Sequence, residues 1–145
     1  MSTSIELSDS QIKHLEFIQG VIGRLASDSF LMKGWALTVT GAFFGFSAKD
    51  IDWRVALVGL MPLVVFWGLD GYFLSRERMF RGLYDAVRRS DPDVEPFSMD
   101  YIRFKRRGTL SNGWRNSLWS HTVAFFYLPI LTVGLALIVA TALHG

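Results

Sequence analysis

The sequence predicts an all-α integral membrane protein with three transmembrane helices, the first two extended into the cytosol as a long antiparallel helical hairpin. Three observations carry that prediction. Half of the 145 residues are hydrophobic and 19% are charged, below the roughly 25% of soluble domains. The apolar residues gather in three charge-poor blocks of about 20 residues, the length that a hydrocarbon core of about 30 Å demands. Lys and Arg are spread unequally around those blocks, which sets their orientation. A chain of this length is expected to form one membrane domain, 1–145, without a separate soluble domain. It has no cysteine, so a disulfide framework and a thiolate metal site are excluded, and neither metal nor cofactor is expected. Glu6 and Asp9 with no early apolar run argue against a cleaved signal peptide.

Residues 8–27 read as a cytosolic amphipathic helix. Ser8 and Gln11 fit a capping box, in which hydroxyl and amide satisfy unpaired N–H groups of the first turn. Ile12, Leu15, Ile18, Ile22 and Leu25 recur on one stripe, with Lys13, Glu16, Gln19 and Arg24 elsewhere. A helix lying on a membrane wants a Lys/Arg-rich polar face; this face is mixed in sign, which favours packing on the protein. Residues 29–48 form the first span. Its single charge, Lys33, lies near one end where the ammonium can snorkel, beside the interfacial Trp35. Gly41 and Gly45 make a GxxxG pattern that lets another helix approach closely. A short charged turn, with Trp53 as an anchor, leads to the second span, 55–74. Pro62 removes one backbone hydrogen bond there, Trp67 marks an interface, and Asp70 follows the apolar run. The helical pattern continues through 75–90 and stops near Asp91 and Pro92. Residues 91–116 read as a basic cytosolic loop, since residues before Pro92 and Pro96 are biased away from helix. Trp114 and Trp119 introduce the third span, 119–143, which contains Pro129 and the small pair Ala136 and Ala140.

Orientation follows from counting Lys and Arg. Ten lie between Arg76 and Arg115, and Lys13, Arg24 and Lys33 precede or open the first span; only Lys49 and Arg54 lie in the first turn. The N-terminus is therefore placed in the cytoplasm and the C-terminus on the far side of the membrane. Matching depths outward from the turn near Ile51 and Asp52 sets Lys33 opposite Asp70, Arg24 near Glu77, Asp28 near Arg76 and Glu16 near Arg88. Each helix of the pair is then about 35 to 40 residues, roughly 55 Å at 1.5 Å per residue.

Catalysis has no sequence support, and an enzyme is not expected. His14, His121 and His144 fall in different segments, and no HExxH, GxSxG, P-loop or paired-carboxylate arrangement occurs. His14 reads as a solvated helix residue and His121 as an interfacial one. Asp70 with Lys33 is either a pore or gating element, which ionisable groups at membrane depth suggest, or a structural ion pair. Arg103, Lys105, Arg106 and Arg107, interleaved with Tyr101 and Phe104, offer phosphate contacts and stacking surfaces for a nucleotide; anchoring on anionic lipid explains the same cluster. Three spans are too few to enclose a path, so transport requires a homo-oligomer of cyclic symmetry, with a tetramer as the first guess.

The runs Glu16-Phe-Ile-Gln19, Asp28-Ser-Phe-Leu-Met-Lys-Gly-Trp35, Phe66-Trp-Gly-Leu-Asp70, Tyr72-Phe-Leu-Ser-Arg-Glu-Arg-Met-Phe-Arg81 and Phe97-Ser-Met99, with Arg24 and Leu83-Tyr84, carry a resemblance. Together they resemble a family of small uncharacterised bacterial multi-span membrane proteins. That family is similar to the transmembrane effectors encoded beside nucleotidyltransferases in anti-phage defence systems, including the Hailong type. The resemblance covers most of residues 14–104. It implies an oligomeric pore whose opening depolarises the cell under control of a nucleotide or oligonucleotide, with an operon-encoded nucleotidyltransferase as partner. It puts functional weight on Lys33, Trp35, Asp70, Arg76, Glu77, Arg78 and Arg81. With Arg24 and Asp28, the last four are expected to build an intersubunit stalk. The alternative is a non-conducting membrane scaffold for a soluble cytosolic partner.

Overall fold

The structure is a computed structural model that describes residues 7–50, 53–107 and 110–144; the side chains of 47–50, 106–107, 110–111, 141 and 144 fall outside the description. Its elements in order are α1 (Asp9–Asp50), α2 (Trp53–Arg88), a 3-10 turn (Ile102–Lys105), the two-residue strands β1 (Arg106–Arg107) and β2 (Leu110–Ser111), α3 (Trp114–Leu118) and α4 (His121–His144). The strands pair antiparallel, Arg106 with Ser111 and Arg107 with Leu110.

Local chemistry explains the helix ends. The Ser8 N–H donates to Gln11 Oε1 (3.0 Å) and the Gln11 N–H to Ser8 Oγ (3.3 Å), the reciprocal pair expected of a capping box. The segments read as a cytosolic helix, 8–27, and a span, 29–48, form one continuous helix, α1, whose 42 residues slightly exceed the 35 to 40 expected of each helix of the pair. No proline or glycine lies between Leu25 and Phe30 to stop it. α2 ends in a Schellman motif: the Asp91 N–H donates to the Ala86 carbonyl (3.1 Å) and the Ser90 N–H to that of Val87 (3.0 Å). Ser90 occupies the left-handed region (φ 55) that this motif requires of its first residue beyond the helix. Its hydroxyl accepts from Gln11 Nε2 at 2.9 Å, joining the start of α1 to the end of α2.

Along the contact between the two helices, higher residue numbers on α1 meet lower ones on α2. Leu15, Ile18 and Ile22 pack with Phe80, Leu83 and Val87, and the loop residues Val94, Tyr101 and Phe104 close over them. Further along, Ala36 packs with Leu60 and Leu63 and with Val123 and Tyr127 of α4. Helices approach closely at glycines: a Cβ on Gly59 would lie 2.5 Å from the Phe43 Cβ, and one on Gly71 would lie 2.5 Å from Leu118 Cδ2. Gly41 and Gly45 do not serve this purpose within the chain, since nothing lies within 4 Å of a Cβ built on either. Ile12, placed on the apolar stripe by spacing, is exposed; the buried stripe is centred on Leu15, Ile18 and Ile22.

Two helical segments are long and apolar enough to cross a membrane, Trp53–Arg88 and His121–Ala140. The expected first span, 29–48, lies in α1 and is not one of them among the described residues. Lys33 and the interspersed Gly and Thr residues dilute its apolar character.

Candidate functional site

The most unusual grouping lies where α1, α2 and α4 meet. Asp70 of α2 is fully buried, and an isolated carboxylate in such surroundings would be severely penalised. Three side chains compensate it. Lys33 Nζ stands 2.5 Å from Asp70 Oδ2. The Ser29 hydroxyl, one turn before Lys33 on the same face of α1, donates to Asp70 Oδ1 and accepts from Lys33 Nζ at 3.0 Å. Tyr127, the largest fully buried side chain of α4, sets its hydroxyl beside the same carboxylate. Its single proton can serve Asp70 or the Phe66 carbonyl oxygen, 3.3 Å away. The Lys33 contact at Oδ2 is ionic rather than a directed hydrogen bond. Depth matching thus located the Lys33–Asp70 pair, while Ser29 and Tyr127 escaped it.

Aromatic groups roof this cluster. Trp67 stacks on Tyr127 (centroids 6.2 Å apart) and meets Trp119 edge-on at 5.7 Å. Its indole N–H donates to the Leu118 carbonyl (3.1 Å), and the Trp114 N–H donates to that of Gly68 (2.8 Å). Together these bonds clamp α3 across α2, with Gly71 leaving room for Leu118.

The arginines beyond the cluster do not pair as depth matching expects. Glu77 binds Arg81 on its own helix (2.7 Å) instead of Arg24, and Glu16 binds Lys13 (2.8 Å) instead of Arg88, which faces Asp85 at 3.9 Å. Arg76 lies between the rings of Tyr72 (4.8 Å) and Tyr101 (5.0 Å) and donates to the Tyr101 hydroxyl, so Asp28 is not its partner. Arg78 donates to Ser120 Oγ at 2.6 Å. Depth sets the level of a residue but not its azimuth, and Arg24 and Glu16 point outward. Of the expected ligand group, Arg103 donates to the Asp93 carbonyl (2.5 Å) and Lys105 is exposed. The side chains of Arg106 and Arg107 lie outside the described residues.

His14 corrects the reading of a solvated residue. It is buried, its Nδ1 accepts from the Phe97 N–H (3.3 Å), and its Nε2 faces the Ser98 carbonyl oxygen at 2.8 Å. That fixes a neutral ring with the proton on Nε2. Its spacing of four from Ile18 and eight from Ile22, both buried, is the signal that could have placed it on the packed face. Asn112 plays a comparable part at the loop's far end, where its carbonyl accepts from Ser75 (2.6 Å) and its amide donates to the Phe104 carbonyl (3.0 Å). Among the described residues, no three His, Asp or Glu side chains converge on a metal-sized site.

Compared with protein-family models, with curated proteins and with solved structures, the chain has no match.

Proposed function

We propose that the chain is a subunit of a homo-oligomeric ion channel of the bacterial inner membrane, controlled from the cytosol by a nucleotide or short oligonucleotide. The membrane part of this reading is supported by which surfaces are left bare. Only 22% of the apolar window in Trp53–Arg88 and 17% of that in His121–Ala140 is buried, whereas the core helix of a soluble protein hides most of its residues. Phe125, Val133, Val139, Met61 and Val65 all point outward, as lipid-facing side chains do. Residues 29–48, packed on both helices, are the third crossing segment. The Leu15–Val87 end of the pair then projects into the cytosol as a helical hairpin, with the C-terminus on the far side.

The observation that carries the channel reading is the Lys33–Asp70–Ser29–Tyr127 cluster. Ionisable groups are costly at membrane depth and mark functional sites by default. Here the charge is shared between three helices, so rotation of any one breaks the set. Asp70 is sealed from water in this arrangement, which supports a gating role in a closed state. Gly41 and Gly45, open on the outer face of α1, are where a neighbouring subunit packs. Exposed Lys105 and Arg103, with Arg106 and Arg107, form the ligand surface. A nucleotide bound there opens the channel only by binding the open state more tightly. The defensive role and the nucleotidyltransferase partner rest on the resemblance alone.

A second reading, a non-conducting scaffold, is favoured by the separate apolar core of the Leu15–Val87 end, which is a rigid platform for a soluble partner. Purified protein in planar bilayers separates the two. Discrete currents that respond to oligonucleotide support the channel. Silence from an intact ring, with every nucleotide tried, supports the scaffold.

A further inference from the structure

A groove of about 780 Å³ runs between α1 and α4. Leu37, Phe125, Pro129 and Ile130 form its walls, and Lys33 and His121 stand at one end. Both helices place the polar residue one turn before the apolar one, so the groove is amphipathic along its length. We infer that it holds an anionic glycerophospholipid of the inner leaflet, with its phosphate at the Lys33–His121 end and an acyl chain along the apolar walls. This rests on the membrane reading proposed above.

Three observations support that occupant. Lys33 donates to Ser29 and stands against Asp70 as an ion pair. An ammonium carries three donors, and its side chain is 17% exposed, so donor capacity remains for the groove. Arg78 reaches Ser120, the residue before His121, and forms no ion pair among the described residues. With Lys33 neutralised by Asp70, that guanidinium, beside the groove and not in its lining, adds positive charge near the polar end, which favours an anionic headgroup over a zwitterionic one. Leu37 and Phe125 are exposed, so the groove opens sideways, where a bilayer lipid enters without passing through the protein.

The test is native mass spectrometry of the full chain, extracted in detergent and exchanged against phosphatidylglycerol or phosphatidylcholine. The wild-type chain should retain phosphatidylglycerol in fixed ratio to the subunit and release phosphatidylcholine. His121→Asp, at an exposed position, should lower phosphatidylglycerol retention by about tenfold, the scale of one charge-assisted contact. Leu37→Trp should fill the groove and displace the lipid; circular dichroism verifies both folds, and Leu37→Trp carries the test if His121→Asp does not fold. Equal retention of the two lipids, or no effect of either substitution in a folded chain, overturns the inference. So does displacement of the lipid by millimolar inorganic phosphate, which would make this a site for the free anion. Alkaline carbonate distinguishes the two failures. A chain that washes off the membrane brings down the membrane reading and this inference with it, whereas a resistant chain without lipid preference overturns only the inference.

Discussion

The two ends of the α1–α2 pair differ in the charge they bury and in the side chains they expose. Around Leu15, Ile18, Phe80 and Leu83 the interior is aliphatic and aromatic, and the outer face carries Lys13, Glu16 and Arg24. Around Lys33 and Asp70 an ion pair and two hydroxyls are hidden, while Phe30, Trp35, Leu57 and Met61 face outward. One continuous helix contributes to both ends. On the membrane reading proposed above, the difference lies in the medium each end is built for. A chain facing water gains by hiding apolar area. A chain facing lipid gains nothing that way, and relies on close packing and internal polar contacts instead.

The largest expected effect breaks the polar end. Lys33→Met strands a buried carboxylate and should destabilise the chain by about 3–5 kcal/mol, read as a lower unfolding temperature in detergent. Combining it with Asp70→Leu should recover most of that loss, because a well-packed apolar pair is often as stable as a buried ion pair. If the double variant is no better than the single, the two groups are not a coupled pair. Restored stability with altered currents would place the cluster in gating.

Glycine substitutions probe the packing beneath the outward-facing apolar side chains. Gly59→Ala puts a methyl 2.5 Å from the Phe43 Cβ, an atom that cannot swing aside, and should cost about 1–3 kcal/mol. Gly41→Ala and Gly45→Ala meet nothing within the chain and should leave its stability unchanged, or raise it by about 0.5–1 kcal/mol through helix propensity. Size-exclusion with light scattering provides the sharper reading. Loss of oligomer in the Gly41 and Gly45 variants, with an intact fold, marks the subunit contact, and an unchanged oligomer removes it.

Which parts of this architecture were legible in the sequence follows from what generates each. Capping chemistry and apolar periodicity are local, so Ser8, Gln11 and the buried Leu15–Ile18–Ile22 stripe could be read directly. Counting depth from a turn found Lys33 and Asp70 because both lie on facing sides of the pair. The same count misassigned Arg24, Asp28 and Glu16, whose azimuths it does not contain. Tyr127 reaches Asp70 from a helix 57 positions later, and no spacing rule connects them. The loop was the least legible part, since its fastening uses backbone groups of Phe97, Ser98 and Asn112. His14→Phe keeps a ring but leaves the Phe97 N–H and Ser98 carbonyl unpaired. It should cost about 1–3 kcal/mol and speed proteolysis of the segment after Ser90. Unchanged cleavage would show that the loop is held elsewhere.

The smallest expected effect repeats the ion-pair chemistry where the pair is exposed. Lys13 and Glu16 form an ion pair at 2.8 Å, close to the 2.5 Å of Lys33 and Asp70, but with side chains 65% and 59% exposed. Water solvates Glu16 whether or not the ammonium is present, so Lys13→Met should shift stability by about 0–1 kcal/mol, and by less at high salt. The same substitution at Lys33 should cost several times more and should resist screening. Equal losses at the two sites would mean that the buried carboxylate finds another partner, with Tyr127, beside the same carboxylate, an available donor. Adding Tyr127→Phe to Lys33→Met would then lower the unfolding temperature further, and no additional change would rule out that rescue.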